Sequence, residues 1–368
     1  MREPCPHCHG GRVLTVAPGL PVSAHSVLDV VPQLPGQSAA AALRETAEVA
    51  LAADDLGYRR FWLGEQHGVR GVGGAAPAVL AAVLAARTDR IRLGAGGVLL
   101  TNHQPLVVAE QFAALAAAYP SRIDLGVEEQ RTVAPSTAAA LAGGARDSFA
   151  QRLDELCGFL RDGTPGRVPV GDVRLSLAGL PPPVFVLADH PRTAVTAAVR
   201  GLPLFLAHHC AAAATSAAVE AYREHFQPTG PKVRPYLAVT AGVVAADSEE
   251  EAMARFAEYV RVKTRLAAAG PRVTSAELTA LLDPPLTGRE RGRAERLMDD
   301  HGYVVGSRAT VAAQLGELVA STTADEVMLV PLAFDGLIRS AILRTVAAGL
   351  TRIVRTVPRS APPLIATA

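Results

Sequence analysis

Lysine is almost absent from this chain: Lys232 and Lys263 stand alone against 34 arginines. With Ala, Gly and Pro abundant, that imbalance reads as compositional bias and carries no chemistry by itself. Cysteine is scarce too, and four in 368 residues do not form a disulfide framework. Cys157 and Cys210 lie in apolar sequence surroundings, as small hydrophobes do. Neither sign of charge dominates: 36 basic and 35 acidic residues give a net charge of +1, so no whole-protein field draws nucleic acid or an anionic membrane. Long hydrophobic runs are missing as well. The Ala-rich stretches 75–86 and 211–218 fall short of the ~20 apolar residues a membrane span needs, so a soluble protein is expected. The opening MREPCPHCHGGR lacks the apolar segment of a secretion signal, which makes the cytoplasm the expected location.

What is present is ordinary globular material, 49% hydrophobic and 19% charged, which excludes a disordered chain. The length allows two or three domains or one α/β barrel. Cys5, His7, Cys8 and His9 offer half of a zinc knuckle, but no second ligand pair of standard spacing follows. Residues 1–24 are therefore read as a disordered extension, 25–356 as the folded unit and 357–368 as a tail, with no metal assigned.

From Ser26 the pattern is regular. The apolar run Val27 to Val31 is followed by a helical stretch, Ala39 to Leu56, with Gly57 placed to end it. Arg60 to Gly64 precedes a helix over Ala75 to Arg87, with Pro77 in its first turn; Ile91 to Leu99 precedes a helix over Pro105 to Ala118. Arg122 to Val127, Val184 to Ala188, Leu202 to Ala207, Tyr236 to Val244 and Glu326 to Val330 supply the remaining strands. Eight strands alternating with helices predict a (β/α)8 TIM barrel. The stretch Gly270 to Gly302, with Pro271, Pro284 and Pro285 among charged residues, is read as an insertion near the seventh βα connection that covers the active site.

In such a barrel, chemistry gathers at the C-terminal ends of the strands. Glu65-Gln66-His67, Thr101-Asn102-His103, Glu128-Glu129-Gln130-Arg131, Asp189-His190-Pro191-Arg192-Thr193 and His208-His209-Cys210 all fall there. Five of the ten histidines thus share one barrel mouth. They admit three readings: strand-capping side chains, a metal site of the barrel-hydrolase kind, or histidines exchanging protons beside a bound cofactor. The metal reading lacks its characteristic HxH, since strand one carries Asp29 and no histidine at its end. The cofactor reading is the better supported.

The segments LDVVPQLPG, FWLGEQH, IRLGAGGVLLTNHQPLVVAEQF and YPSRIDLG, and later LPLFLAHHC, ADSEEEA and YVVGSRATVAAQL, resemble the bacterial luciferase-like monooxygenase family. The resemblance runs from residue 26 over nearly the whole chain. It implies a (β/α)8 enzyme, homodimeric, that oxidises a small or polyketide-like metabolite in natural-product tailoring with O2 and reduced FMN supplied by a separate flavin reductase. It also implies a strand-three bulge at Gly96-Gly97 beneath the isoalloxazine, which in relatives can hold a non-proline cis peptide, with Glu65 beside the cofactor. His67 and His103 become proton-transfer or flavin-contacting groups, and His208 and His209 face the substrate. Arg131, His190, Arg192 and Thr193 become a phosphate clamp.

Three departures from the family pattern bear on these expectations. Gln66 stands where the family's Glu-His-His has its first histidine, and glutamine exchanges no proton at neutral pH, so that role is lost unless His67 or His103 takes it. Glu129 stands where an arginine usually meets the FMN phosphate, and Asp189 enters the small-residue phosphate loop after strand five. These changes keep an alternative open: a flavin-free family member, either a non-catalytic partner subunit or a repurposed acid/base enzyme for dehydration, cyclisation or rearrangement.

Overall fold

The computed structural model describes residues 24–129, 135–141, 148–160, 181–230, 233–269, 273, 275–282, 285–299 and 302–354. Arg131, the Cys5 to His9 run and the 357–368 tail lie outside them. In chain order the elements are β1 (Ala24–Asp29), α1 (Ala39–Asp55), β2 (Arg60–Leu63), α2 (Pro77–Ala85), β3 (Arg92–Leu99), α3 (Pro105–Ala118), β4 (Ile123–Glu128), α4 (Pro135–Leu141) and α5 (Phe149–Leu160). They continue with β5 (Val184–Ala188), α6 (Pro191–Ala198), β6 (Leu204–Leu206), α7 (Thr215–His225), β7 (Leu237–Ala246), α8 (Glu249–Ala268), α9 (Ser275–Leu282) and α10 (Gly288–Asp299). β8 (Tyr303–Ser307), α11 (Arg308–Thr322), β9 (Glu326–Pro331) and α12 (Gly336–Val354) complete them.

Strands β1 to β7 pair in sequence order, all parallel, and β9 joins β7 back to β1, so eight strands close into the expected barrel. Helices cover its outside, and β2, β4, β6, β7 and β9 are accordingly buried at every residue. One strand was not expected: β8 lies outside the ring, pairing Tyr303–Ser307 with Gly242–Ala246 in the second half of β7. The stretch before it, which showed no strand pattern, supplies α9 and α10.

Local signals account for the helix ends. Ser38 caps α1 by accepting from the Ala41 N–H at 3.2 Å, and Gly57, at φ +80°, leads the chain out of it. Pro77 and Pro105 open α2 and α3, where the missing N–H costs nothing. Ser248 caps α8, and Glu249, Glu250 and Glu251 place negative charge at the positive end of that helix.

The barrel interior is layered. At the N-terminal end, Arg60 is fully buried, with Nε 2.8 Å from Glu326 and Nη1 2.7 Å from Asp124. Ser26 and Tyr236 also donate to Glu326, Trp62 donates to Asp124, and Arg92 pairs with Asp124 at 2.6 Å. Burial alone would raise both carboxyl pKa values; Arg60, with Arg59 and Arg92 beside it, holds them below the usual range. Above this plug, Trp62, Phe185 and Phe205 pack together, their centroids 4.5–5.4 Å apart. Gly126 makes the space: a Cβ there would stand 2.3 Å from Ala95 O and 3.1 Å from the Trp62 ring. The top layer of Leu28, Leu187, Val330 and Leu332 shares one apolar cluster with Phe256 and Val260 of α8 and Ala294 of α10. Asp29 faces outward, bonded to Arg339 of α12.

His25, on β1, sets one pH dependence. Burial lowers its pKa to about 4, against a smaller opposing pull from Glu326. Well above pH ~6.5 the imidazole is neutral in both states and contributes nothing to the pH dependence. As pH falls through that value the unfolded chain takes up a proton the folded chain refuses, so stability drops until about pH 4, by on the order of 3 kcal/mol. His25→Gln is expected to flatten this part of a urea-denaturation pH profile; an unchanged profile would place the acid sensitivity elsewhere.

Candidate active site

β2 ends at the mouth, and the next residues, Gly64 and Glu65, are drawn inward as the Gly64 N–H donates to Asp29 O at 2.9 Å. Glu65 is 4% exposed. Its Oε1 accepts from His67 Nε2 at 2.6 Å and His103 Nε2 at 2.7 Å, while Oε2 accepts from the Leu99 N–H at 3.1 Å. Burial pushes the Glu65 carboxyl pKa up, but the His103 and His67 contacts and the Leu99 N–H outweigh it and hold the carboxyl below its usual range. The carboxylate therefore stays ionised near neutral pH. It also fixes the tautomers: an imidazole that gives its Nε2–H to a carboxylate presents Nδ1 as the position that takes up or releases a proton.

His103 is held in turn from outside the barrel, because Arg152 of α5 donates to the His103 carbonyl. Beside it, Thr101 Oγ1 and Asn102 Nδ2 are buried and have no hydrogen-bond partner among the described residues. Both lie at the end of β3, whose register shifts between Ala95 and Val98 across a cis Gly96-Gly97 peptide. The bulge inferred at these glycines is thus present. Gln66, half-buried, gives its backbone N–H to Gly74 O.

The three ligand-type atoms of Glu65, His67 and His103 lie within 4.8 Å of one another. Their 2.6 and 2.7 Å contacts have hydrogen-bond lengths. Ligands about 2.1 Å from one tetrahedral ion would stand roughly 3.4 Å apart, so the cluster is arranged as a carboxylate between two imidazoles.

The other assigned residues are placed differently. Glu129 points to the N-terminus of α6, where Arg192 Nη2 lies 3.2 Å from its Oε1 and Thr193 Oγ1 donates to Oε2 at 3.1 Å. His190 caps the same helix, Nδ1 accepting from the Thr193 N–H at 3.4 Å, with Asp189 3.8 Å away. Two of the four donors expected to clamp a phosphate, Arg192 and Thr193, are therefore turned on a carboxylate of the same chain. His208 Nδ1 meets Thr215 Oγ1 at 2.8 Å, and burial lowers the His208 pKa. His209 Nδ1 meets Thr240 Oγ1 at 2.6 Å. These two brace the loop after β6. Sequence reasoning brought Thr101 and Asn102 to the mouth beside His103 but gave them no role, and it did not bring Lys263 and Tyr303 there.

Residues 25–326 match the family model described as luciferase-like monooxygenase. A "Luciferase-like monooxygenase" of Escherichia coli (strain K12) is 34% identical over 324 residues, 85% of this chain and 92% of that protein. The crystal structure of apo-MsnO8 superposes with a TM-score of 0.76 at 31% identity, covering 91% of this chain and 98% of that one. The oxygenating constituent of 3,6-diketocamphane monooxygenase from Pseudomonas putida, solved in complex with FMN, shares the fold with a TM-score of 0.62 at 17% identity, over 90% of this chain and 99% of that one. A closed barrel with a bulged third strand, matched in sequence over most of its length, places this chain in the luciferase-like monooxygenase family.

Proposed function

We propose that the protein is an FMN-dependent monooxygenase that oxidises a small organic molecule with O2, reduced flavin coming from a separate reductase. The observation that carries this is the Glu65 carboxylate holding His67 and His103 beside the β3 bulge. The fit to the cofactor differs between its two ends. Thr101 Oγ1 and Asn102 Nδ2, buried and without hydrogen-bond partners among the described residues, suit the polar edge of a flavin ring. At the α6 end, Glu129 already takes Arg192 and Thr193, which does not suit a phosphate until that carboxylate withdraws.

Bound reduced flavin would supply the electrons that place one oxygen atom of O2 on the substrate and the other in water. Glu65 orients both imidazoles through their Nε2 atoms. His67 and His103 take up or deliver the proton at Nδ1, the task Gln66 is unable to perform. The apolar layer of Leu28, Leu187, Val330 and Leu332, roofed by α8 and α10, excludes water. A homodimer, a role in natural-product tailoring and a cytoplasmic location remain expectations carried by the family resemblance. Stopped-flow reoxidation of reduced FMN is the test. Excess protein should give a single oxidation rate distinct from that of free flavin, whereas kinetics identical to free flavin would sink the reading.

Glu129 gives a second prediction. Like charges about 4 Å apart cost about 1 kcal/mol in water and about 4 kcal/mol at the effective dielectric of a protein surface. Glu129→Gln is therefore expected to tighten FMN about tenfold and leave riboflavin, which has no phosphate, unchanged, as read by fluorescence titration. An equal change for both flavins would show that Glu129 does not face the phosphate. The same carboxylate favours the flavin-free acid/base enzyme as a second reading, and failure of both flavins to bind either form of the protein would select it.

A further inference from the structure

Of the chain's two lysines, Lys263 is half-buried on α8. Phe256, Tyr259, Val260 and Lys263 form one stripe along α8, at the i, i+3, i+4, i+7 spacing of a single helix face. Phe256 and Val260 belong to the apolar cluster at the top of the barrel. The Lys263 ammonium donates to Tyr303 Oη at 3.1 Å and lies 5.5 Å from the Tyr259 ring centroid and 5.8 Å from that of Tyr303. Tyr303 itself sits over β7, since a Cβ on Gly242 would meet its ring at 2.7 Å, and it packs edge-on against Phe256 at 5.3 Å. Tyr259 leans on Phe334, just past β9, at 5.7 Å. Cys210, from the loop after β6, is close enough to act electrostatically on the ammonium.

These contacts place Lys263 on the β6–β7–β9 side of the mouth. The Glu65 cluster stands on the β2–β3 side, across the closed ring. Among the described residues no carboxylate pairs with the ammonium, and burial lowers its pKa. A cation drawn from water without a counter-charge is costly, and a ligand that brings the counter-charge removes that cost. One ammonium, with no guanidinium paired beside it among the described residues, balances a single negative charge rather than a phosphate dianion.

We propose that Lys263 is the subsite for a substrate carboxylate: the mouth takes a small organic acid, its acid group against Lys263 and its apolar body on the Leu28, Leu187, Val330 and Leu332 layer. The oxidisable part then reaches toward His67 and His103. This rests on the mouth being the substrate site but not on which cofactor lies there.

The test is a panel of aryl and alkyl carboxylic acids, each paired with its primary amide, titrated against the full chain by ligand-observed NMR with and without reduced FMN. Wild type should prefer the acids by about tenfold or more. Lys263→Met should level each pair while holding or raising the thermal midpoint, because an isosteric apolar side chain replaces a half-buried charge, and Lys263→Arg should keep part of the preference. Amides binding as well as acids, a preference that survives Lys263→Met, or no acid binding at all would each overturn the proposal. Acid preference without reduced FMN binding would retain this subsite and remove the monooxygenase reading; the reverse result would do the opposite.

Discussion

Arg60→Ala is expected to destabilise the fold by about 3–5 kcal/mol, the cost of leaving buried charges without their partner. Arg60 joins Glu326 of β9 to Asp124 of β4 across the barrel floor, and both carboxylates are fully buried. It also lies beneath the aromatic layer, 4.8 Å from the Phe185 ring centroid. Without it, Arg59 still reaches Glu326 only at 3.7 Å, and Arg92 remains on Asp124. The sign of the pH dependence separates this mechanism from simple loss of packing. With Arg60 present, both carboxyl pKa values lie below their unfolded values, so their stabilisation is present above the unfolded pKa and lost as pH falls through the folded one. Without Arg60, burial dominates and protonation favours the folded state, so the deficit relative to wild type should shrink as pH drops below about 5. Urea denaturation at two pH values measures it. A deficit below about 1 kcal/mol at pH 7, or one that grows on acidification, would refute the ionic plug.

The second large effect concerns turnover. Two imidazoles share one carboxylate oxygen, so either can carry the proton when the other is removed. His67→Ala and His103→Ala are each expected to cost about tenfold in kcat. Together they should cost 10²- to 10⁴-fold, the range assigned to general acid/base catalysis, with reduced FMN affinity nearly unchanged. Glu65→Gln should approach the double variant, because an amide presents one acceptor and a competing N–H to two imidazole donors. Full substrate turnover in the double variant, with reductase-supplied reduced FMN, would rule out a catalytic role for the pair.

The eight barrel strands were legible because strands buried on both faces read as short apolar runs between helical segments, and Gly57, Pro77 and Pro105 punctuate the helices with unambiguous local chemistry. β8 was not legible. Tyr303–Ser307 extends the sheet beside β7 without entering the ring, so a count that closed at eight left no place for it. In the site, the strand-end rule brought His67 and His103 to one mouth, but their meeting on Glu65 depends on the fold: His103 lies 38 residues beyond Glu65. The rule had no power over His190, which serves as a helix cap, or over Lys263, whose surroundings come from α8, β8 and the loop after β9. Glu129 was recognisable as a reversal of charge; that it would occupy Arg192 and Thr193 itself was not.

The most direct measurement of the central claim is an anaerobic titration of the wild-type protein with reduced FMN. Binding with a Kd on the order of 10 µM, about −7 kcal/mol, is the predicted result, with riboflavin bound about equally because Glu129 offsets what the phosphate would gain. No binding at about 100 µM of either flavin would contradict the account.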